Sequence, residues 1–269
     1  MIKKVLLFSL RNIFKNISKR TQKKGFLINL IINDANYSIG KGFGGTNSIN
    51  FEIKESTKFI ENHDSPLIID VGAHKGNYSD KIIEKFPNAR IHCFEPSLTN
   101  YHFLTNKFTN NNNIKINNLG ISDETQETIL YSDNDGSSLA SIYKREISHF
   151  GKQFDSEENI KVIKFEDYWK DKLNKEKIDL IKLDIEGNEL NALSGLGESI
   201  SKIKCIQFEF GGANIDSKTY FQDFWYFFKD KNFDIKRITP FGTLLIDTYT
   251  EDEEYFKTTN YVAINKLVL

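Results

Sequence analysis

The fold is decided by the stretch LIIDVGAHKGNYS at residues 67–79. An apolar run leads into an acid, two glycines follow four positions apart, and the segment beyond them has a helical pattern. This order predicts a strand, a tight turn and a helix N-terminus. Gly72 and Gly76 have no Cβ, so the backbone can turn sharply and approach a ligand closely, while the first N–H groups of the helix face the same place. The stretch therefore predicts a site for a nucleotide-type cofactor, with a simple connection as the alternative.

Strand and helix patterns continue to alternate from Leu67 to Phe228. Residues 89–94, 178–185 and 203–210 are apolar runs typical of strands, and helical spacing occurs between them. Such alternation predicts an α/β fold, with a mostly parallel sheet and helices on both faces. Sheets of this kind bind ligands at the carboxyl ends of their strands.

Four acids fall at or near the ends of four predicted strands: Asp70, Glu95, Asp184 and Glu209. Ordinary surface residues would not be concentrated there, although Asp70 or Glu95 could instead cap a helix. The spacing of Glu95 after the glycine turn places it to accept hydrogen bonds from a ribose diol. His74 stands where the dinucleotide fingerprint has its second glycine, so a cofactor without a pyrophosphate, such as S-adenosylmethionine, fits better.

Four sequence blocks follow one another along the chain: DVGAHKGNYS at 70–79, CFEP at 93–96, NLGISD at 118–123 and IKLDIEGNE at 181–189. Through them the chain resembles the FkbM family of S-adenosylmethionine-dependent methyltransferases over about residues 66 to 265. The resemblance implies a class I methyltransferase (Rossmann-like) fold, a seven-stranded sheet whose one antiparallel strand corresponds to residues 261–264. His74 and Gly120 depart from the residues that are common in the family.

The resemblance also implies the site. The expected cofactor-binding residues are Asp70, Gly72, Ala73, His74, Gly76, Asn77, Glu95, Pro96, Asn118, Gly120 and Ser122, and the expected substrate-side residues are Ser137, Ser138 and Glu209. Asp70 is expected at the crevice rim, where it organises the glycine turn and the amino-acid end of the cofactor.

The implied reaction is O-methyl transfer, commonly to a sugar hydroxyl of a surface polysaccharide or to a secondary metabolite. The hydroxyl must reach the methyl group in line and give its proton to a base. Asp184 and Glu186 are the candidate bases, on the same side if the strand persists, and Lys182 shares their parity and would pair with an acid. His149 is a less favoured base.

Two alternatives stay open. Asp184, Glu186 and Glu209 could hold Mg²⁺, although no metal ligand is assigned. The chain could also be a non-catalytic S-adenosylmethionine-binding or scaffold protein of a membrane-associated glycan assembly.

Composition sets the remaining expectations. The 269 residues are 39% hydrophobic, with a formal net charge of −1, which argues against a nucleic-acid binder. Cys93 and Cys205 lie in apolar runs, as expected for core thiols in a reducing compartment. With no apolar run of about 18 residues and no signal-peptide pattern, the chain is expected to be cytoplasmic.

The N-terminal part differs in charge from the rest. Residues 1–50 are interpreted as a basic amphipathic extension and a glycine-rich connection, and residues 51–269 as the methyltransferase domain. Eight Lys or Arg residues lie within residues 2–24, and no acid precedes Asp34. Such a helix can dock on protein or make peripheral contact with the inner face of an anionic membrane.

Overall fold

The computed structural model describes residues 24–45 and 48–268. These residues form eleven strands: β1 (Leu67–Val71), β2 (Arg90–Phe94), β3 (Ile114–Asn117), β4 (Gly120–Ile121), β5 (Gln126–Ser132), β6 (Ser156–Ile163), β7 (Ile178–Leu183), β8 (Ile203–Phe210), β9 (Phe233–Thr239), β10 (Gly242–Leu245) and β11 (Thr259–Asn265). The α-helices of the same part of the chain are Lys24–Ser38, Ile49–Ser56, Asn77–Lys85, Leu98–Lys107, Phe165–Lys172, Glu189–Ser194, Ala213–Ser217 and Phe221–Asp230.

The main sheet has eight strands in the order β10-β9-β11-β8-β7-β1-β2-β3. Strands β8, β7, β1, β2 and β3 pair in parallel, whereas β11 is antiparallel to both of its neighbours. The predicted α/β fold and the antiparallel strand at 261–264 are confirmed. The count of seven is wrong, because Gly242–Leu245 turns back as a hairpin on β9 and adds an eighth strand at the edge.

A smaller sheet forms beside the main one from β4, β6 and β5. It contains the segment between the third and fourth parallel strands, where β5 and β6 pair antiparallel. Leu130, Ile160 and Val162 pack together in it and also face the cavity described below. This sheet therefore forms one side of the cavity.

Hydrophobic clusters cover both faces of the main sheet. Along β1, Leu67, Ile69 and Val71 pack on one side, whereas Ile68 packs on the other. All five residues of β1 and all six of β7 are buried. Burial on both faces explains why the central strands are continuous apolar runs rather than alternating ones.

The N-terminal part enters this core before the glycine-rich connection ends. Phe43 and Ile53 are buried in the same cluster as Ile68, and the predicted domain boundary at residue 51 falls inside the helix Ile49–Ser56. The basic helix predicted over residues 2–24 lies outside the described residues except at Lys24. Within residues 24–45 and 48–268, no helix is long and apolar enough to cross a bilayer.

Candidate active site

A cavity of about 700 Å³ opens at the carboxyl ends of the parallel strands. Its size lies within the range of about 300–1,000 Å³ that is typical of small-molecule sites. Residues at the ends of β1, β2, β7 and β8 contribute to its wall, together with the helix Ile49–Ser56 and the smaller sheet. The cavity is therefore where the topology of an open α/β sheet places a ligand.

The glycine turn after β1 is held by a close contact with the segment after β7. Gly72 has φ +76°, and a Cβ there would lie 2.0 Å from the carbonyl oxygen of Asp184. The Gly72 carbonyl accepts a hydrogen bond of 2.8 Å from Lys182 Nζ. Glycine is thus required both by the left-handed backbone and by this approach.

Asp70 does not lie at the rim of the crevice, and the sequence-based placement is wrong. It is fully buried within β1, because the strand continues to Val71, and its side chain points under the helix Asn77–Lys85. There it accepts a hydrogen bond of 2.7 Å from Ser79 Oγ and lies 3.3 Å from Lys182 Nζ. Asp70 therefore acts on the glycine turn through Lys182, with which it forms an ion pair. An ion pair between Lys182 and an acid was expected from the sequence.

Glu95 follows β2 and faces the cavity from a buried position. Its Oε2 accepts a hydrogen bond of 2.7 Å from the His74 backbone N–H, and its Oε1 accepts one of 3.0 Å from Ser97 N–H. Burial raises the pKa of Glu95 to about 7, although these donors lower it. The carboxylate thus joins the glycine turn to the loop after β2.

The predicted cofactor residues divide into two groups. The cavity wall includes Gly72, Ala73, His74, Asn77, Glu95, Pro96 and Gly120. Gly76, Asn118 and Ser122 lie behind the wall, so the direct contact predicted for them is corrected to a supporting role. Asn118 Nδ2 donates to the Pro96 carbonyl at 2.8 Å, and Ser122 Oγ accepts a hydrogen bond of 3.4 Å from Asn188 Nδ2. A Cβ on Gly76 would meet the Phe108 ring at 2.7 Å.

Three carboxylates converge at another part of the cavity. Oxygens of Asp184, Glu186 and Glu209 lie within 4.8 Å of one another. The β7 strand ends at Leu183, so the condition for strand parity between Asp184 and Glu186 is not met. Glu186 instead reaches the cluster through a left-handed backbone, with φ +52°.

Arg145 neutralises part of this cluster. Its Nη1 lies 2.5 Å from Glu186 Oε2, and its Nε lies 3.3 Å from Asp216 Oδ2. Burial and the charge of Asp184 raise the pKa of Glu186 to about 8, against the lowering effect of Arg145. Burial and the same Asp184 charge raise the pKa of Glu209 well above its ordinary value, which favours its neutral form.

Asp184 is the most accessible member of the cluster. Its side chain is 44% exposed, and its Oδ2 lies 3.5 Å from Lys182 Nζ. Carboxylate oxygens suit a hard cation such as Mg²⁺, but Lys182 and Arg145 already place positive charge beside two of the three acids. The cluster by itself does not assign a metal.

A loop that we name the strap, residues 133–146, crosses from one part of the cavity to the other. His74 Nε2 lies 3.1 Å from the Gly136 carbonyl at one end, and Ser141 Oγ donates to the Glu186 carbonyl at 2.7 Å at the other. Ser137 and Ser138 line the cavity from the strap, and their predicted contact with the substrate stays a prediction.

The side chains of two predicted residues have local roles. The Ser137 hydroxyl donates to Asp133 and accepts the Leu139 N–H, so it stabilises the strap itself. His149 is exposed, packs against the Phe150 ring in a tilted arrangement and lies outside the cavity wall. This position does not support the less favoured role of His149 as base.

Sequence reasoning missed Glu52, which enters the cavity from the helix Ile49–Ser56. Gln207 Nε2 donates to Glu52 Oε2 at 2.8 Å, and Tyr78 Oη donates to Gln207 Oε1 at 2.8 Å. Burial raises the pKa of Glu52. One feature of the sequence could have indicated it. Glu52 lies between Ile49 and Ile53, on the apolar face of the helix, where an acid is unusual.

Comparison with known proteins gives a consistent match over the site. A family model described as the methyltransferase FkbM domain matches residues 70–235, which include the glycine turn, Glu95 and the carboxylate cluster. A curated relative, the 2-O-methyltransferase NoeI of Sinorhizobium fredii (strain NBRC 101917 / NGR234), is 23% identical over 159 residues. The match covers 56% of this chain and 65% of the relative, so the chain spans slightly less than two thirds of the relative's length.

Solved structures with a similar fold have lower sequence identity to this chain than NoeI has. Precorrin-6y C5,15-methyltransferase from Geobacter metallireducens has a TM-score of 0.41 and 11% identity, with 78% of this chain and 86% of that chain covered. TrmK of M. capricolum in complex with S-adenosyl-homocysteine has a TM-score of 0.41 and 13% identity, with coverage of 80% and 68%.

Proposed function

Since this chain belongs to the FkbM methyltransferase family, we propose that it is an S-adenosylmethionine-dependent O-methyltransferase. Its acceptor is a hydroxyl, of a sugar in a surface polysaccharide or other glycan, or of a secondary metabolite. One observation carries the proposal: a single cavity joins Glu95 and the glycine turn to the cluster of Asp184, Glu186 and Glu209. A cofactor half and an acceptor half are thereby side by side.

The residues of the cofactor half fit S-adenosylmethionine, which supplies an electrophilic methyl group when bound. Glu95 offers a buried carboxylate for ribose hydroxyls at the end of β2. Asn100 faces the same cavity, and its buried Oδ1 has no hydrogen-bond partner among the described residues. Phe94, Pro96 and Ile121 add apolar surface for an adenine ring.

Asp184 is the base that we favour in the acceptor half. A base must come within hydrogen-bond reach of the proton that it removes, and Asp184 is the accessible carboxylate of the cluster. Glu186 is engaged by Arg145, and Glu209 is favoured in its neutral form, so both are better placed to orient hydroxyls. Lys182 Nζ lies 3.5 Å from Asp184 Oδ2 and helps to hold this side chain in position.

The charge of the acceptor half favours an uncharged, hydroxyl-rich acceptor. Four acids, Glu52, Asp184, Glu186 and Glu209, border it, whereas Lys182 and Arg145 are paired with carboxylates. A phosphate or carboxylate on the acceptor would meet carboxyl groups here rather than an unengaged cation, because Lys182 and Arg145 already have carboxylate partners. The name of the relative NoeI, a 2-O-methyltransferase, supports a hydroxyl as the nucleophile.

Calorimetry and turnover test the two halves separately. We expect Glu95→Gln to weaken S-adenosylmethionine binding by about tenfold or more, because it removes charge-assisted hydrogen bonds. Asp184→Asn should keep that binding and lower S-adenosylhomocysteine release with a glycan acceptor by about 10²–10⁴-fold.

Glu127→Gln, an exposed change on β5, is the control and should alter neither value. Absence of cofactor binding by the unmodified protein would refute the proposal. Cofactor binding without release across neutral glycan and metabolite acceptors would instead favour the non-catalytic scaffold.

A further inference from the structure

The helix Lys24–Ser38 presents apolar side chains to solvent along its length. Phe26 is 68% exposed, and Leu30, Ile31 and Ile32 are each between 42% and 51% exposed. Every residue from Leu30 to Ala35 is exposed. A helix with so much apolar surface is normally buried against another surface, and residues 26–45 and 48–268 leave this one uncovered.

The polar residues of this helix identify the side that faces water. Asn29, Asn33 and Asn36 are spaced at i, i+4 and i+7, so they form one narrow polar stripe. Apolar residues occupy most of the remaining positions, with Lys24, Asp34 and Ser38 as the exceptions. The exposed side chains of Phe26, Leu30, Ile31 and Ile32 supply the apolar surface that can enter a membrane interface.

A second exposed apolar surface lies at the same edge of the main sheet. Arg237 Nη1 donates to the Ile39 carbonyl at 3.2 Å, which attaches the end of the helix to β9. The hairpin that leaves β9 exposes Phe241 by 85%, and Leu244 and Leu245 are about half exposed. The C-terminal end of the helix is therefore fixed near a second exposed apolar surface, that of the hairpin.

The charge distribution identifies the partner. The first 24 residues contain eight Lys or Arg and no acid, whereas the remaining 245 contain 28 Lys or Arg and 37 Asp or Glu. A strongly basic segment directly before an exposed apolar helix combines attraction to anionic lipid headgroups with insertion between them. At about 22 Å the described part of the helix is shorter than the roughly 30 Å hydrocarbon core, and no helix within residues 24–45 and 48–268 is long and apolar enough to cross it, which suits a position along a membrane.

We propose that the helix Lys24–Ser38, together with the hairpin tip at Phe241, docks the protein on an anionic lipid bilayer. The helix lies in the interface with its apolar side chains between the headgroups, and the basic residues that precede it contact anionic phosphates. The cavity is connected to the docked helix by a short segment, because Gly45, Ile49 and Glu52 line it. The enzyme would then work beside a membrane. This docking does not depend on which acceptor the enzyme methylates.

Vesicle flotation of the full chain tests this docking. We expect binding to vesicles of phosphatidylcholine mixed with phosphatidylglycerol, little binding to phosphatidylcholine alone, and loss of binding at high salt. Phe26→Gln/Ile31→Gln should lower the partition coefficient by about tenfold or more, because two apolar side chains no longer enter the interface.

Leu98→Gln/Phe103→Gln is the matched control. It also changes one aliphatic and one aromatic residue that are about half exposed, on a helix next to β3 at the opposite edge of the sheet. This variant should bind vesicles as the unmodified chain does. Equal vesicle binding by both double variants would overturn the proposal, as would a complete lack of binding to anionic vesicles. A lipid-independent dimer that Phe26→Gln/Ile31→Gln dissociates would assign the helix to a second copy of the chain instead.

Discussion

At the scale of single residues, Gly72 joins the cofactor half of the cavity to the acceptor half. We predict that Gly72→Ala destabilises the protein by about 3 kcal/mol or more. The left-handed backbone alone costs about 1–2 kcal/mol for a residue with a Cβ, and the new methyl group would also lie 2.0 Å from the Asp184 carbonyl. Urea unfolding would measure the loss.

Gly151→Ala separates these two contributions. Gly151 has φ +69°, close to the +76° of Gly72, but a Cβ there would have no atom within 4 Å. Its substitution should cost only the backbone part, about 1–2 kcal/mol. Equal costs at the two positions would show that the contact between the two turns does not determine the conformation of Gly72.

Residue types alone could identify much of the site but not the direction of each side chain. Glu95 and Asp184 were predictable because an acid directly after a buried apolar strand falls at the edge of the sheet where ligands bind. Asp70 was misplaced, since one further strand residue turns its side chain under the helix instead of into the crevice. Glu52 was missed because its helix is brought to the cavity by contacts with distant strands, which no local pattern records.

At the scale of elements, the strap depends on Arg145. Arg145 bridges Glu186 and Asp216, and its side chain is only 8% exposed. Arg145→Gln leaves buried carboxylates without their cation, so we expect a loss of about 3 kcal/mol and faster hydrogen exchange across residues 133–146. The pKa of Glu186 should also rise, because Arg145 lowers it in the unmodified protein.

The neighbouring residue offers a control for this change. Lys144 pairs with Glu157 at 3.5 Å, and both side chains are more than half exposed. Lys144→Gln should cost less than about 1 kcal/mol, as is usual for surface pairs, with unchanged exchange in the strap. If both variants accelerated exchange equally, loss of positive charge in general, rather than the Arg145 bridge, would be responsible.

Element positions were more predictable than their assembly. The apolar runs of β1, β7 and β8 are long and buried on both faces, so their pattern is clear from the sequence. Strand β10 is only four residues long, and its place as an eighth strand depends on pairing with β9 across a tight turn. The strap has no periodic pattern, because its conformation is set by hydrogen bonds to His74 and Glu186.

At the scale of the whole molecule, buried carboxyl groups should make stability depend on pH. Burial raises the pKa of Glu95 and Glu189 to about 7 and that of Glu186 to about 8. Between the ordinary pKa of a glutamate and these values, the folded state binds more protons than the unfolded state, so stability falls as pH rises. The pKa values of His74 and His92 are lowered in the folded state, so these residues oppose the trend slightly near pH 6.5, where the unfolded state still protonates them in part, and this opposition fades towards pH 8.

We therefore predict that the free energy of unfolding decreases by about 3 kcal/mol between about pH 6.5 and 8, since each group contributes up to about 1.4 kcal/mol per pH unit. Urea titrations across this interval would measure it. Glu186→Gln should reduce the slope noticeably, because it removes the group that titrates latest among the three, whereas Glu127→Gln should leave it unchanged. Stability that rose with pH would mean that these carboxyl groups are ionised in the folded protein well below pH 7. The acceptor half would then be more negative than the burial of Glu186 implies.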